Sequence, residues 1–242
     1  MPGSVIIDYL PESVKRYRSG WAVVAIDVIR ATTTAITAAA SGRRCYPCPN
    51  IEAAQVVAQT LDDPILAGEL GGDLPAGFEV QNSPAEFASR TDIYRPVVLV
   101  SSSGTKVIAE ATECETNYLA CFRCTSALAR HLKQNHERVA LIGAGTKDEF
   151  REEDQICCAW IAAALIDAGY SAGTSLTDQV TTRWGRARAS ACLCSRSVDF
   201  LRRSEQVRDL DFVLAHIDDL DQVFQMRNGE VRVIREAACA PA

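Results

Sequence analysis

Short runs of aliphatic and β-branched residues alternate along this chain with alanine-rich stretches whose apolar positions recur at helical spacing. The pattern predicts a buried strand over 21–26 and a helix over 34–40, with Gly42 in position to close it. A strand over 43–48 follows, then a helix capped by Asn50 and running to 61, then a short strand over 64–67. Ser83, Pro84 and Glu86 stand where a capping box places its N-cap, first and third helical residues, so a helix starts at 84. Further strands are predicted over 96–100, 116–120 and 138–142. Helices are predicted from after Gly104 to 111, over 125–134 and over 153–168, the last ended by Gly169. The C-terminal third is more helical and more charged, and it closes on two strand-like runs, 222–226 and 231–234, around Asn228-Gly229. Asn-Gly between two such runs is a strong hairpin signal.

Repeated strand–loop–helix units point to an α/β protein, a three-layer α/β/α arrangement with a mixed, largely parallel sheet. The terminal hairpin supplies the antiparallel part. No internal repeat or low-complexity linker divides the chain, so a single domain over 1–242 is expected.

Composition narrows the function classes. The 31 acidic residues outnumber the 25 basic ones, giving a net charge of −6, and no basic stripe of the kind that tracks a nucleic-acid backbone is present. No apolar run reaches membrane-spanning length, and the first residues lack a basic region followed by a long apolar stretch, so a cytoplasmic protein with no membrane partner is expected. Ten cysteines are many for such a chain. Several, such as Cys157, Cys158, Cys192 and Cys194, lie in or beside apolar stretches, which suits buried free thiols. Self-association is allowed by the sequence but not specified by it.

In open α/β sheets ligands bind beyond the carboxyl ends of the strands. Four polar segments fall at such ends: 27–34, 68–83, 101–106 and 143–154. The first, Asp27-Val28-Ile29-Arg30-Ala31-Thr32-Thr33-Thr34, sets a carboxylate directly after an apolar strand, where it needs a partner or a metal ion. Arg30 follows, and Thr32, Thr33 and Thr34 offer hydroxyls and helix-start N–H groups to an anion. In the third segment Gly104 lets backbone approach an oxyanion beside Ser103 and Thr105, and Lys106 adds charge. Asn82 sits just outside the positive end of the helix capped by Ser83. Acids cluster at Glu69 and Asp73 and again at Asp148, Glu149, Glu152, Glu153 and Asp154; of the latter group, Glu153 and Asp154 enter an apolar helix and are the ones able to point into a crevice. A Mg2+ site needs only one or two carboxylates beside substrate and water oxygens.

Each segment also has a purely structural reading: Asp27 as a cap with packing threonines, 101–106 as a serine-rich turn, the acidic run as a solvated face. Three other patterns carry less. Gly143-Ala144-Gly145 follows a strand, but Asp148 stands where a dinucleotide fingerprint wants glycine. Cys124 and Arg130 have the spacing of a cysteine phosphatase loop, yet the intervening residues read as continuous helix. Cys45/Cys48 and Cys121/Cys124 form two CxxC pairs near strands, far apart in the chain, and His131, His136 and His216 lack zinc-ligand spacing.

Taken together, the chain resembles the 2-phosphosulfolactate phosphatase (ComB-like) family. The stretches that carry the resemblance are Ile26 to Thr34, Ala67 to Gly72, Gly77 to Pro84, Ser103-Gly104-Thr105 and Gly145 through Glu153-Asp154, with a weaker echo at Asp209-Leu210-Asp211-Phe212. They occur in the family's order over nearly the whole chain. The resemblance implies an α/β/α fold and Mg2+-dependent hydrolysis of a small anionic phosphoester, 2-phosphosulfolactate, to sulfolactate and phosphate, a step toward coenzyme M. In that setting Asp27, Glu69 and Asp154 are the expected metal ligands, and Asp27, Arg30 and Lys106 the catalytic groups. Thr32, Thr33, Thr34, Asn82, Ser83, Ser103, Gly104 and Thr105 would bind the substrate. An aspartyl-phosphate route fits less well, because Ile29 occupies the place of the usual second acid. Where the family carries Asn-Gly-Thr-Arg this chain has Ser103-Gly104-Thr105-Lys106, and Gln81 stands in place of a glycine. Another phosphorylated hydroxyacid is thus an alternative substrate, and a non-catalytic binding protein for a small anionic metabolite is the alternative from another class.

Overall fold

The structure, a computed structural model, describes residues 3–145 and 149–234. Thr146 and Asp148, both in the polar stretch after the predicted 138–142 strand, lie outside the described residues. In chain order the elements are β1 (Ser4–Tyr9), β2 (Ala22–Ile26), α1 (Ala31–Ala40), β3 (Cys45–Cys48), α2 (Ile51–Ala58), β4 (Ile65–Gly68), α3 (Pro84–Ser89) and β5 (Val97–Val100). Then come α4 (Gly104–Thr112), β6 (Thr116–Ala120), α5 (Thr125–Asn135), β7 (Arg138–Gly143), α6 (Glu152–Asp167), β8 (Ser171–Ala172), α7 (Ser175–Trp184), α8 (Arg196–Arg203), α9 (Val207–Ala215), β9 (Val223–Arg227) and β10 (Glu230–Ile234).

The strands form two sheets. The larger is seven-stranded, in the order β10-β9-β6-β2-β7-β1-β8, parallel except for the hairpin β9–β10 and its pairing to β6. The smaller is parallel and three-stranded, β3-β5-β4. Helices α5, α6 and α7 cover one face of the large sheet, while α1 and α4 lie on the other, between the large sheet and the small one. The three-layer α/β/α plan holds, with the small sheet added beyond α1 and α4.

That position accounts for the sequence of α1. A helix lying between two sheets has no solvated side, and every residue from Ala31 to Ala39 is buried. Its alanines and threonines are small enough for close approach on all sides. Strand β5 shows the same two-sidedness: Val97 and Leu99 face the main core, Val98 and Val100 a second core under α2. Pro47 is tolerated in β3 because β3 is an edge strand of its sheet.

The observed elements start and stop within a few residues of the predicted ones. Asn50 accepts a hydrogen bond from the Ala53 N–H and Ser83 one from the Glu86 N–H, so both caps are real. The Asn228-Gly229 turn has positive φ at both residues, as a tight hairpin requires. Two features were not visible in the pattern. β1 pairs with β7 and, on its other side, with the short edge strand β8, although its run is short and carries Asp8. The split into two sheets also escapes a period-two reading, because strands of both sheets have the same buried character.

Candidate active site

The carboxyl ends of β2, β4, β5 and β7 open on one crevice. Asp27 is the first residue after β2, and its carboxylate lies against the first residue of α4, Gly104. A Cβ on Gly104 would stand 1.9 Å from Asp27 Oδ2 and 2.5 Å from the Ala31 Cβ, so only glycine lets the two segments meet. Asp154, in the first turn of α6, reaches across from the β7 side and accepts the Val28 N–H at 2.8 Å through Oδ1. Glu69, just beyond β4, accepts the Ser102 N–H at 2.8 Å, the Ser102 hydroxyl at 2.9 Å and the Gly72 N–H at 2.8 Å. The four polar segments at separate strand ends are therefore linked: 27–34 touches both 101–106 and 143–154, and 68–83 joins through 101–106.

The crevice concentrates negative charge in a dry place. Burial, then the charge of Glu69, push the Asp27 carboxyl up to about 7, with the Ala31 N–H and Arg30 pulling the other way and Glu153 adding to the rise. Burial and the neighbouring charges of Asp27 and Glu153 hold the Asp154 carboxyl well above the usual range, against the opposing N–H groups of Val28 and Ala144. Glu153 is also buried, which raises its pKa despite Ser197 and Ser195 beside it, and its Oε2 has no hydrogen-bond partner among the described residues. Like charges held together out of water call for a cation.

Arg30 supplies one cation. It is 5 % exposed, and its Nη1 donates to Asp209 Oδ2 at 2.6 Å. Asp209 Oδ1 in turn accepts the Ser83 hydroxyl at 2.6 Å and the Ala85 N–H at 3.2 Å, at the start of α3. Asn82 next to this junction is 2 % exposed, and its Oδ1 has no hydrogen-bond partner among the described residues. Gln81 ties the loop to Gly72, donating from Nε2 to the Gly72 carbonyl at 3.3 Å. Lys106 stands exposed on the first turn of α4, with no ion-pair partner among the described residues.

The hydroxyls of the threonine run are turned inward. Thr32 Oγ1 donates toward the carbonyls of Asp27 and Ala120, both at 2.7 Å, and accepts the Asp27 N–H at 3.0 Å. Thr33 Oγ1 donates to the Val28 carbonyl at 2.7 Å. Thr34 Oγ1 is buried without a partner among the described residues. Thr105 exchanges hydrogen bonds with Ser101, its hydroxyl accepting the Ser101 N–H at 2.9 Å and its own N–H donating to Ser101 Oγ at 2.9 Å. These side chains shape the turns after β2 and β5, while Ser103 forms the N-cap position of α4 at the crevice.

Asp209 has only a faint local signal in the sequence, the Asp-Leu-Asp-Phe echo, and its partners lie 179, 126 and 124 residues away. Both CxxC pairs are buried free thiols: Cys45 and Cys48 on β3, Cys121 and Cys124 after β6. Helix α5 begins at Thr125, directly after the buried Cys124, so the stretch to Arg130 is helical.

Comparison with known proteins adds a family. Residues 8–229 match the family model described as 2-phosphosulpholactate phosphatase. A protein of Pseudothermotoga lettingae named probable 2-phosphosulfolactate phosphatase is 33% identical over 159 residues, covering 66% of this chain and 67% of that protein. One of Carboxydothermus hydrogenoformans with the same name is 31% identical over 183 residues, 75% of this chain and 74% of its own. One of Caldanaerobacter subterraneus, also so named, is 27% identical over 232 residues, 88% and 91% respectively.

Proposed function

Because this chain belongs to the 2-phosphosulpholactate phosphatase family, we propose that it hydrolyses 2-phosphosulfolactate to sulfolactate and inorganic phosphate, with Mg2+, in the crevice around Asp27. The observation that carries the reading is the convergence there of buried carboxylates, Asp27 and Asp154, with a buried guanidinium, Arg30. The substrate bears phosphate, carboxylate and sulfonate groups. An acidic protein binds such a molecule only by gathering N–H and cationic donors locally, and Arg30, Lys106 and the start of α4 at Gly104 provide them.

Among the described residues no three His, Cys, Asp or Glu side chains form a ready-made metal cage. Mg2+ does not need one, since it keeps several waters and takes one or two carboxylates plus phosphate oxygens. Asp27 and Asp154 suit that role: both are buried oxygen donors whose mutual repulsion a cation would relieve. Both Glu69 oxygens already accept hydrogen bonds from Ser102 or Gly72, which favours Glu69 as the residue that fixes the loop after β4 and adds negative charge behind Asp27. When bound, Mg2+ supplies charge neutralisation at the phosphoryl oxygens and a lowered pKa for water.

The chain's own residues do the rest. Arg30 holds the phosphoryl oxygens through the guanidinium edge not used by Asp209, and its charge offsets the negative charge that builds up on them. Lys106, at the exposed rim, draws in the carboxylate or sulfonate. Burial around Arg30 keeps its contacts strong by excluding bulk water.

A phosphate-release screen over small phosphorylated hydroxyacids, with Mg2+ titrated, tests the reading. Release from 2-phosphosulfolactate that vanishes in chelator supports it. Tight binding of those acids by calorimetry, with no release from any, would replace it by a metabolite-binding protein.

A further inference from the structure

Arg30 does not choose its own direction. The Asp209 carboxylate that holds it is split between two tasks, one oxygen on Arg30 Nη1 and the other on the Ser83 hydroxyl and the Ala85 N–H. Both members of the ion pair are 4% exposed, so neither can trade the contact for water. A carboxylate free to turn would clamp an arginine with both oxygens and use up one edge of the guanidinium. Here the second oxygen is tied to the start of α3, and among the described residues the Arg30 guanidinium has no hydrogen-bond partner other than Asp209. The remaining N–H groups of its fork stay available for an oxyanion. The same carboxylate thereby fixes the turn after β2 and the segment holding Asn82 in one frame.

We infer that Asp209 is a positioning residue: it aims the Arg30 guanidinium at the phosphoryl group and locks the Asn82–Ala85 segment to it. The inference rests on the phosphatase reading above. It differs from a purely structural salt bridge in one measurable way. A residue that acts through Arg30 loses its effect on turnover once Arg30 no longer has a fork to aim, whereas a structural brace costs the same in either background.

The test is a double-mutant cycle in the full-length protein with Mg2+, using Asp209→Asn, Arg30→Lys and both together. Asparagine keeps an oxygen for Ser83 and Ala85 while presenting no charge to Arg30. Misplacement of a binding group by about 1 Å costs on the order of 100-fold in rate, so Asp209→Asn is expected to lower kcat/KM by about that factor, chiefly in kcat. In the Arg30→Lys background the same change is expected to cost less than about threefold, the departure from additivity being the signature of coupling. Ser83→Ala, which frees one of the bonds to Asp209 without removing a charge, serves if Asp209→Asn fails to fold. It is expected to show a smaller loss that again disappears in Arg30→Lys.

Additive losses in an active enzyme overturn the inference and leave the phosphatase reading intact. If the wild-type protein releases no phosphate from any phosphoester, that reading fails, and the cycle is run on the dissociation constant for inorganic phosphate. Coupling there upholds the positioning role, while additivity or absence of phosphate binding overturns it.

Discussion

The Asp27 carboxylate and the Cα of Gly104 are in contact so close that a methyl group on Gly104 would sit 1.9 Å from Oδ2. The carboxyl end of a strand in the large sheet and the first turn of a helix leading from the small sheet are joined at this point. Gly104→Ala must push the carboxylate away or shift α4. Overpacking of this kind typically costs about 1–3 kcal/mol, and the displaced Asp27 should lower kcat/KM by about 100-fold. Denaturant melts and initial rates on the same preparation check both, and an alanine variant with ordinary turnover would contradict the contact.

The inward hydroxyls of the threonine run make a different forecast. Thr32→Val removes a group that bonds two carbonyls and one N–H, all buried. Leaving buried polar groups unsatisfied costs about 1–3 kcal/mol each, so the variant should lose stability of that order or more. Thr33→Val, which takes one hydrogen bond from the Val28 carbonyl, should lose less. Chemical denaturation ranks the two, and the reverse order would count against the hydrogen bonds described.

Glu69 and Asp154 should separate under metal titration. Glu69→Gln keeps an oxygen for Ser102 and should leave the Mg2+ concentration for half-maximal turnover within about threefold. Asp154→Asn should raise it at least tenfold, since Mg2+ relies on one or two carboxylates. Activity measured against Mg2+ for each variant gives the answer, and a larger shift for Glu69→Gln would make Glu69 the ligand.

Far from the crevice, the Tyr118 hydroxyl lies 2.9 Å from His131 Nε2 and 2.8 Å from His136 Nε2. Burial, and then the charge of His131, lower the pKa of His136. An unfolded His136 takes up a proton near pH 6.5 while the folded one resists, so the stabilising difference is complete above about pH 6.5 and is lost as pH falls through the lowered value. Thermal melts should therefore drop between about pH 7 and 5 in the wild type and drop less in His136→Gln. Parallel profiles would show that His136 does not carry this pH dependence.

Much of the crevice was legible because it lies at strand ends. A carboxylate after Ile26, a glycine after three serines and two acids entering an apolar helix are local signals, and each residue was found near the others. The threonines depend on context that local pattern lacks: α1 is enclosed by two sheets, so the Thr32 and Thr33 hydroxyls turn to buried carbonyls, while Thr34 Oγ1 is buried with no partner among the described residues. Asp209 was beyond local reasoning because its meaning depends on Arg30 and Ser83, which only the folded chain brings to it. The second sheet was hidden for the same reason, since Val97–Val100 reads as a buried strand whichever sheet holds it.

In the proposed reaction Asp27 holds the Mg2+ used in phosphate release. Rates of phosphate release from 2-phosphosulfolactate, measured for wild type and Asp27→Asn across a Mg2+ titration, test it most directly. Saturable Mg2+-dependent release is expected in the wild type, with a loss of at least about 1,000-fold, equivalent to ~4 kcal/mol of transition-state stabilisation, in a variant that melts normally. Unchanged turnover by folded Asp27→Asn, or wild-type turnover indifferent to Mg2+, would contradict it.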